Sequence, residues 1–225
     1  MSDHKTNIEC LRQRIVSVCS RISRNPEEIR IIAASKYADP GQILEVSNLG
    51  ISEFGENRAE ELKEKYEIVQ DRVIWHFFGH LQTRKIRFVV PIVEYIHSID
   101  SMHTLEKVNR EAFLIGKIQK ILMEVNVSGE TTKYGMQTDE VEFFLQKSGN
   151  YNNIRIEGFM TLAPLTDDRR ILSEVFSKLL EILNKSKEKY PGLKLKELSM
   201  GMSNDFETAI ENGATMVRIG SLIFK

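Results

Sequence analysis

Lys36 follows the apolar run Ile31-Ile32-Ala33-Ala34-Ser35, so a primary amine stands directly after a strand-like segment. Such an amine attacks carbonyls when it is held neutral, and burial favours the neutral form of lysine. The small residues Ala33, Ala34 and Ser35 leave room for a ligand beside it. A second group lies near the other end of the chain. Ser203 and Asn204 read as the opening of a helix closed by Gly213, and the first free N–H groups and positive dipole end of a helix bind anions. Gly220 lets the backbone approach a ligand closely, and Ser221 adds a hydroxyl. Together they describe a phosphate cup. Arg218 stands just before it. A guanidinium stays protonated, so against a pyridine nitrogen it donates a hydrogen bond and disfavours protonation of the ring, which weakens an electron sink. An amine, a phosphate cup and this arginine point to a Schiff base between Lys36 and pyridoxal phosphate.

These residues need elements to bring them together. β-rich runs fall at residues 30–34, 51–54, 74–78, 95–98, 120–127, 154–160, 195–199 and 216–219. Helical patterns separate them, with recognisable ends such as Asp39-Pro40 opening and Gly50 closing one, and Thr138-Asp139 opening another. Eight strands alternating with helices predict a closed parallel (β/α)8 TIM barrel, an α/β fold, as a single domain over 1–225. A helix over 6–23, with Thr6 and Glu9 as a capping box, precedes the first strand. Only residues 221–225 follow the last, too few for a covering helix, so the N-terminal helix is expected to fill the missing place. The C-terminal strand ends build the working face of such a barrel, and phosphate commonly binds after strands seven and eight. Lys36, Ser203, Arg218, Gly220 and Ser221 all fall there.

Composition narrows the remaining classes. A formal charge of −1, with 41% hydrophobic and 28% charged residues, gives no bulk attraction to nucleic acid or anionic lipid. No apolar run approaches the ~20 residues needed to cross a bilayer, and the first residues lack a leader's apolar core. A cytoplasmic protein without nucleic-acid or membrane partners is expected. Cys10 and Cys19 lie on one predicted helix, separated by about 13 Å of rise, beyond the ~7 Å Cα limit for a disulfide. They read as reduced, structural thiols. His76, His80, His97 and His103 lack the close pairing of a metal site. Trp75, Phe77 and Phe78 read as core, and Met200 and Met202 as core or ring contacts. Hydrolase, P-loop and dinucleotide signatures are missing.

Five segments in order carry a resemblance: Ala34-Ser35-Lys36, Phe54-Gly55-Glu56-Asn57, Trp75-His76-Phe77-Phe78-Gly79-His80-Leu81-Gln82, Ser199-Met200-Gly201-Met202-Ser203-Asn204-Asp205 and Met216-Val217-Arg218-Ile219-Gly220. Over essentially its full length the sequence resembles the YggS/PROSC family of pyridoxal phosphate homeostasis proteins. The resemblance implies a fold-type III barrel like the N-terminal domain of alanine racemases, lacking their C-terminal β-domain. It implies pyridoxal 5'-phosphate held as an internal aldimine on Lys36, with Asn57 and Met200 flanking the ring. Arg218 then meets the pyridine nitrogen, and Ser203, Gly220 and Ser221 hold the phosphate. Family members are regarded as carriers or regulators of vitamin B6 and amino-acid pools without established turnover. A non-enzymatic, monomeric carrier delivering to pyridoxal-phosphate-dependent apoenzymes is therefore expected, with no catalytic residues.

Two alternatives stay open. The first is a racemase-like enzyme, which needs a second acid/base, a tyrosine from an additional β-domain for which no residues remain. Tyr37 is not an evident substitute, since adjacent strand residues face opposite sides. The second is a cofactor-free barrel in which Lys36 attacks a sugar-phosphate carbonyl. The sequence departs from the family pattern at Arg84, where asparagine is expected, and at Ser221, where threonine is common. Lys133 matches a lysine-glycine segment of the family, either as a second amine that receives the cofactor or as a solvated loop lysine.

Overall fold

The structure, a computed structural model, describes residues 3–130 and 134–225. Strands β1 (Arg30–Ala34), β2 (Glu53–Glu56), β3 (Ile74–Phe77), β4 (Tyr95–Ile99), β5 (Gln119–Glu124), β6 (Ile154–Met160), β7 (Glu197–Ser199) and β8 (Met216–Ile219) pair in parallel in chain order. β8 closes back onto β1, with Ile31 opposite Val217 and Ala33 opposite Ile219. The predicted (β/α)8 barrel is the observed fold. Its helices are α1 (His4–Arg21), α2 (Pro40–Asn48), α3 (Ala59–Val69), α4 (Ile86–Val89), α5 (Met102–Leu114), α6 (Glu140–Ser148), α7 (Arg169–Lys189), α8 (Phe206–Glu211) and α9 (Ser221–Phe224). Among the described residues no helix is long and apolar enough to cross a membrane.

The N-terminal helix does fill the missing place. Ile8, Leu11, Ile15, Val18 and Cys19 form the buried face of α1. Asn7 Nδ2 donates to the carbonyls of Ile223 (3.1 Å) and Lys225 (3.0 Å) beside the single-turn α9. Arg14 pairs with Glu207 at 2.7 Å and Arg21 with Glu211 at 3.0 Å, tying α1 to α8. The helix begins earlier than Thr6 because Asp3 caps it, accepting the Thr6 N–H at 3.3 Å. Cys19 is buried as expected, whereas Cys10 is exposed and plays no part in the core.

Strand alternation separates two cores. Ala33, Phe54, Trp75, Phe77, Phe159 and Val217 face outward, toward the helices. Ile32, Tyr95, Leu122, Met160 and Met216 fill the barrel, with Phe78 packed against them. Each such side chain, fully buried, contributes roughly 1.5–3 kcal/mol relative to exposure. The same alternation turns Arg30, Ile32 and Ala34 of β1 inward. Some predicted strands were apolar for another reason than pairing. Ile51 is buried but belongs to the end of α2, where its N–H reaches the Val46 carbonyl at 3.4 Å. Val127 is buried beyond the end of β5, whereas Val125, also past it, still pairs, its N–H reaching the Met160 carbonyl at 2.9 Å.

Candidate functional site

A cavity of about 380 Å³ opens at the C-terminal mouth of the barrel, between the ends of β1 and β8 and the loops after β6 and β7. Lys36, Ser203, Arg218, Gly220 and Ser221 all line it, joined by Tyr37, Met202 and Thr166. Asn57 and Met200 do not. Asn57 is exposed after β2, with its carbonyl pressed against Gly79, where an added Cβ would come within 1.9 Å of the oxygen. Met200 is wholly buried core, and Met202, 40% exposed, is the methionine at the cavity.

The end of β1 is clamped from outside the barrel. Ser35 Oγ donates to Glu56 Oε1 at 2.6 Å, and Lys65 Nζ donates to both Glu56 Oε1 and the Ser35 carbonyl at 2.7 Å. This buried trio fixes the backbone from which Lys36 projects. Burial pushes the Glu56 carboxyl up, against the pull of Lys65 and Ser35. Lys36 itself is exposed, so the expected desolvation of the amine is not met by the chain alone. Its Nζ lies 5.0 Å from the Tyr37 ring centre. Tyr37 also lines the cavity, contrary to expectation, because β1 has ended at Ala34 and strict alternation ends with it. Lys65 was missed, though it falls on the buried stripe of α3 with Leu62 and Val69, and that periodicity was its signal.

Arg218 is buried at the cavity floor. Its Nη1 donates to the Ser199 carbonyl (2.8 Å) and Oγ (2.6 Å), and Nη2 to the Thr161 carbonyl (3.0 Å). Burial pushes the guanidinium down to about 10 against the opposing pull of Asp205 and Glu124, which leaves it charged at neutral pH. Glu124, also buried, is pushed up to about 7 by burial and by Asp100.

The predicted helix start at Ser203-Asn204 is corrected. Those residues form a turn, and α8 begins at Phe206, because the Asp205 carboxylate takes the Met202 N–H at 2.5 Å while the Met202 carbonyl accepts from Asp205 and Phe206. The turn depends on Gly201, at φ +94°, where a Cβ would come within 2.6 Å of Ala209 Cβ. Across the cavity, Gly220 receives the Ile223 and Phe224 N–H groups and opens α9. The first N–H groups of that turn, on Ser221 and Leu222, have no preceding helical carbonyl to bond. A Cβ on Gly220 would lie 3.3 Å from the Ala34 carbonyl oxygen, a tight fit against the end of β1. Arg84 sits in a short turn beside Gln82, away from this cavity, and Lys133 lies outside the described residues.

The sequence matches the alanine racemase N-terminal domain over residues 7–225. It is 38% identical over 213 residues to a pyridoxal phosphate homeostasis protein of Aquifex aeolicus, covering 94% of this chain and 93% of that one. The structure of PipY from Synechococcus elongatus with pyridoxal phosphate bound is similar at a TM-score of 0.83 and 29% identity, over 94% of this chain and 100% of that chain. An alanine racemase of Clostridium difficile shares the fold alone, at 16% identity and a TM-score of 0.77, with this chain covering 56% of its length. With the family model matched over nearly the whole chain and a relative 38% identical over 94% of it, the chain belongs to the family of pyridoxal phosphate homeostasis proteins.

Proposed function

We propose that this protein binds pyridoxal 5'-phosphate at the barrel mouth, held covalently by Lys36, and serves in its homeostasis and delivery to apoenzymes without turning over a substrate. The observation that carries this reading is the single cavity bordered by an amine, a buried guanidinium and two backbone turns rich in N–H groups. When bound, pyridoxal phosphate supplies an aldehyde that a primary amine captures reversibly. Lys36 is the amine. Arg218 keeps donors unused by Ser199 and Thr161, since a guanidinium carries five N–H groups, and these suit a ring nitrogen. Ser221 with the backbone of Gly220, and the turn at Ser203-Asn204, suit the phosphate. Asn57 and Met200, away from the cavity, are assigned no contact with the ring.

Carriage fits the site better than turnover. An arginine at the ring nitrogen keeps that nitrogen from gaining a proton, which weakens the electron sink carbanion chemistry uses. The rim is also open: Tyr37 is 83% and Leu165 93% exposed, so a recipient reaches the amine without displacing a covering element. The test is the visible spectrum of wild type and Lys36→Ala after incubation with pyridoxal phosphate and desalting. A protein-bound band in the wild type alone is expected, and its absence from the wild type overturns the assignment. Incubation of loaded protein with L- or D-alanine is expected to give no sustained racemisation; racemisation lost in Lys36→Ala would make the protein an enzyme.

A further inference from the structure

Beneath the cavity, a line of polar side chains runs down the barrel. Arg218 Nη1 donates to Ser199 Oγ at 2.6 Å, and Ser199 Oγ lies 2.8 Å from His97 Nδ1. His97 Nε2 lies 2.9 Å from His76 Nδ1, and His76 Nε2 lies 3.0 Å from Glu53 Oε2. Arg30 grips Glu53 through two bonds, of 3.0 and 2.7 Å. Ser199, His97 and His76 are inaccessible to solvent. Strands β8, β7, β4, β3, β2 and β1 each contribute one member, so the line crosses the whole interior.

The carboxylate end sets the direction. A guanidinium only donates and an ionised carboxylate only accepts. Glu53, gripped by Arg30, faces His76 Nε2 at 3.0 Å; the pair falls short of hydrogen-bond geometry, but a bare nitrogen there would set its lone pair against an anion, so the proton of a neutral His76 sits on Nε2. His76 Nδ1 is then an acceptor, and the proton of a neutral His97 sits on Nε2, aimed at it. That leaves His97 Nδ1 to accept from the Ser199 hydroxyl, which is free to donate because it takes the Arg218 proton on a lone pair.

We propose that Ser199 and His97 are positioning residues for Arg218, and that the line beneath them locks both imidazoles as neutral Nε2–H tautomers so that the guanidinium faces the cavity in one fixed orientation. This role rests on the reading of Arg218 as the partner of the cofactor's ring nitrogen. Burial disfavours the charged form of both imidazoles. For His97 the neighbouring His76, Arg218 and Arg30 act in the same direction, while for His76 Glu53 and Glu94 oppose and Arg30 adds to it. Tyr95 stacks on His76 at 5.3 Å and adds no charge. The line orients and does not conduct. A proton passed down it would leave a neutral guanidine at the top and a carboxylic acid against Arg30 at the bottom, the disfavoured state at both ends.

Nitrogen NMR of the histidine rings in protein purified without added cofactor tests the lock directly. Both rings are expected to show protonated Nε2 and bare Nδ1, unchanged between about pH 5.5 and 8. An Nδ1–H tautomer or an imidazolium in either ring overturns the proposal. The positioning role is read from Ser199→Ala and Ser199→Thr titrated with pyridoxal phosphate. The visible band should still form with Lys36 intact, but Ser199→Ala should need about tenfold more ligand for half-saturation, and Ser199→Thr, which keeps the hydroxyl, should recover most of that loss. Equal half-saturation in wild type and Ser199→Ala overturns it. If the wild type forms no band at all, the cofactor reading fails, and the ring NMR alone decides whether the lock exists.

Discussion

Gly201 and Lys65 support the site without touching it. The left-handed backbone at Gly201 and the crowding by Ala209 and Phe206 make Gly201→Ala cost roughly 2–4 kcal/mol, measurable as a lower melting temperature; an unchanged one would mean the turn relaxes freely. Lys65→Met strands Glu56 against Ser35, with Glu56 Oε2 already lacking a partner. The burial that pushes Glu56 up makes the folded protein hold its proton more tightly than the unfolded chain does, so the loss in Lys65→Met should be larger at about pH 8 than at about pH 5. Denaturant unfolding at the two values checks this, and equal losses would show that Glu56 is not forced to ionise. At this scale the sequence placed Lys36, Gly220 and Ser221, just past their strands, and Arg218, within β8, around one cavity. Asn57 and Met200 lie just past β2 and β7 without lining that cavity, since beyond the end of a strand nothing local says which way a side chain turns. His76 and His97 are far apart in sequence and meet only because their strands are adjacent, with His76 opposite Tyr95.

Among the elements, α2 shows how much a local signal determines. Asp39 accepts the Gln42 N–H at 2.9 Å, Gln42 reaches back to the Asp39 N–H at 3.0 Å, and Pro40 opens the first turn. Since α2 follows the Lys36 loop, Asp39→Ala should cost about 1 kcal/mol of stability with little effect on cofactor half-saturation. A loss of binding larger than the loss of stability would show that the cap also sets the loop. The same logic misled at Ser203, where Ser203, Asn204 and Asp205 are all good capping types. The bond from Met202 to the Asp205 carboxylate, a contact within the folded turn, decides where the helix starts. Strand identities were legible from alternation and β-branching, but their limits were not, since burial against a helix and pairing in a sheet select the same residue type at Ile51.

For the molecule as a whole, two carboxyls in the barrel pull stability in opposite directions with pH. Burial raises Glu53, but His76 and Arg30 outweigh it and hold the group down to about 2. Its contribution is complete above an ordinary glutamate value near 4.5 and is lost as the pH falls toward 2. Glu124, pushed up to about 7, costs stability as the pH rises from about 4.5 through 7. Each displacement corresponds to roughly 3 kcal/mol. Glu124→Gln should therefore melt higher than the wild type at about pH 8 and equally at about pH 4, without added cofactor, and an equal difference at both would refute the assignment. Barrel closure was legible from the count of alternating elements, whereas the polar line down its axis was not, because it exists only once the strands have met. Closure also has an order in time. The bond from Asn7 to Ile223 spans 216 positions, and joining ends so far apart comes late and slowly. On the ribosome α1 waits for α8 and α9 to emerge, and β1, already paired with β2, waits for β8 as its second neighbour. Lys36 and Arg218 stand on opposite sides of that last seam, so the amine has no pocket around it until β1 and β8 have met.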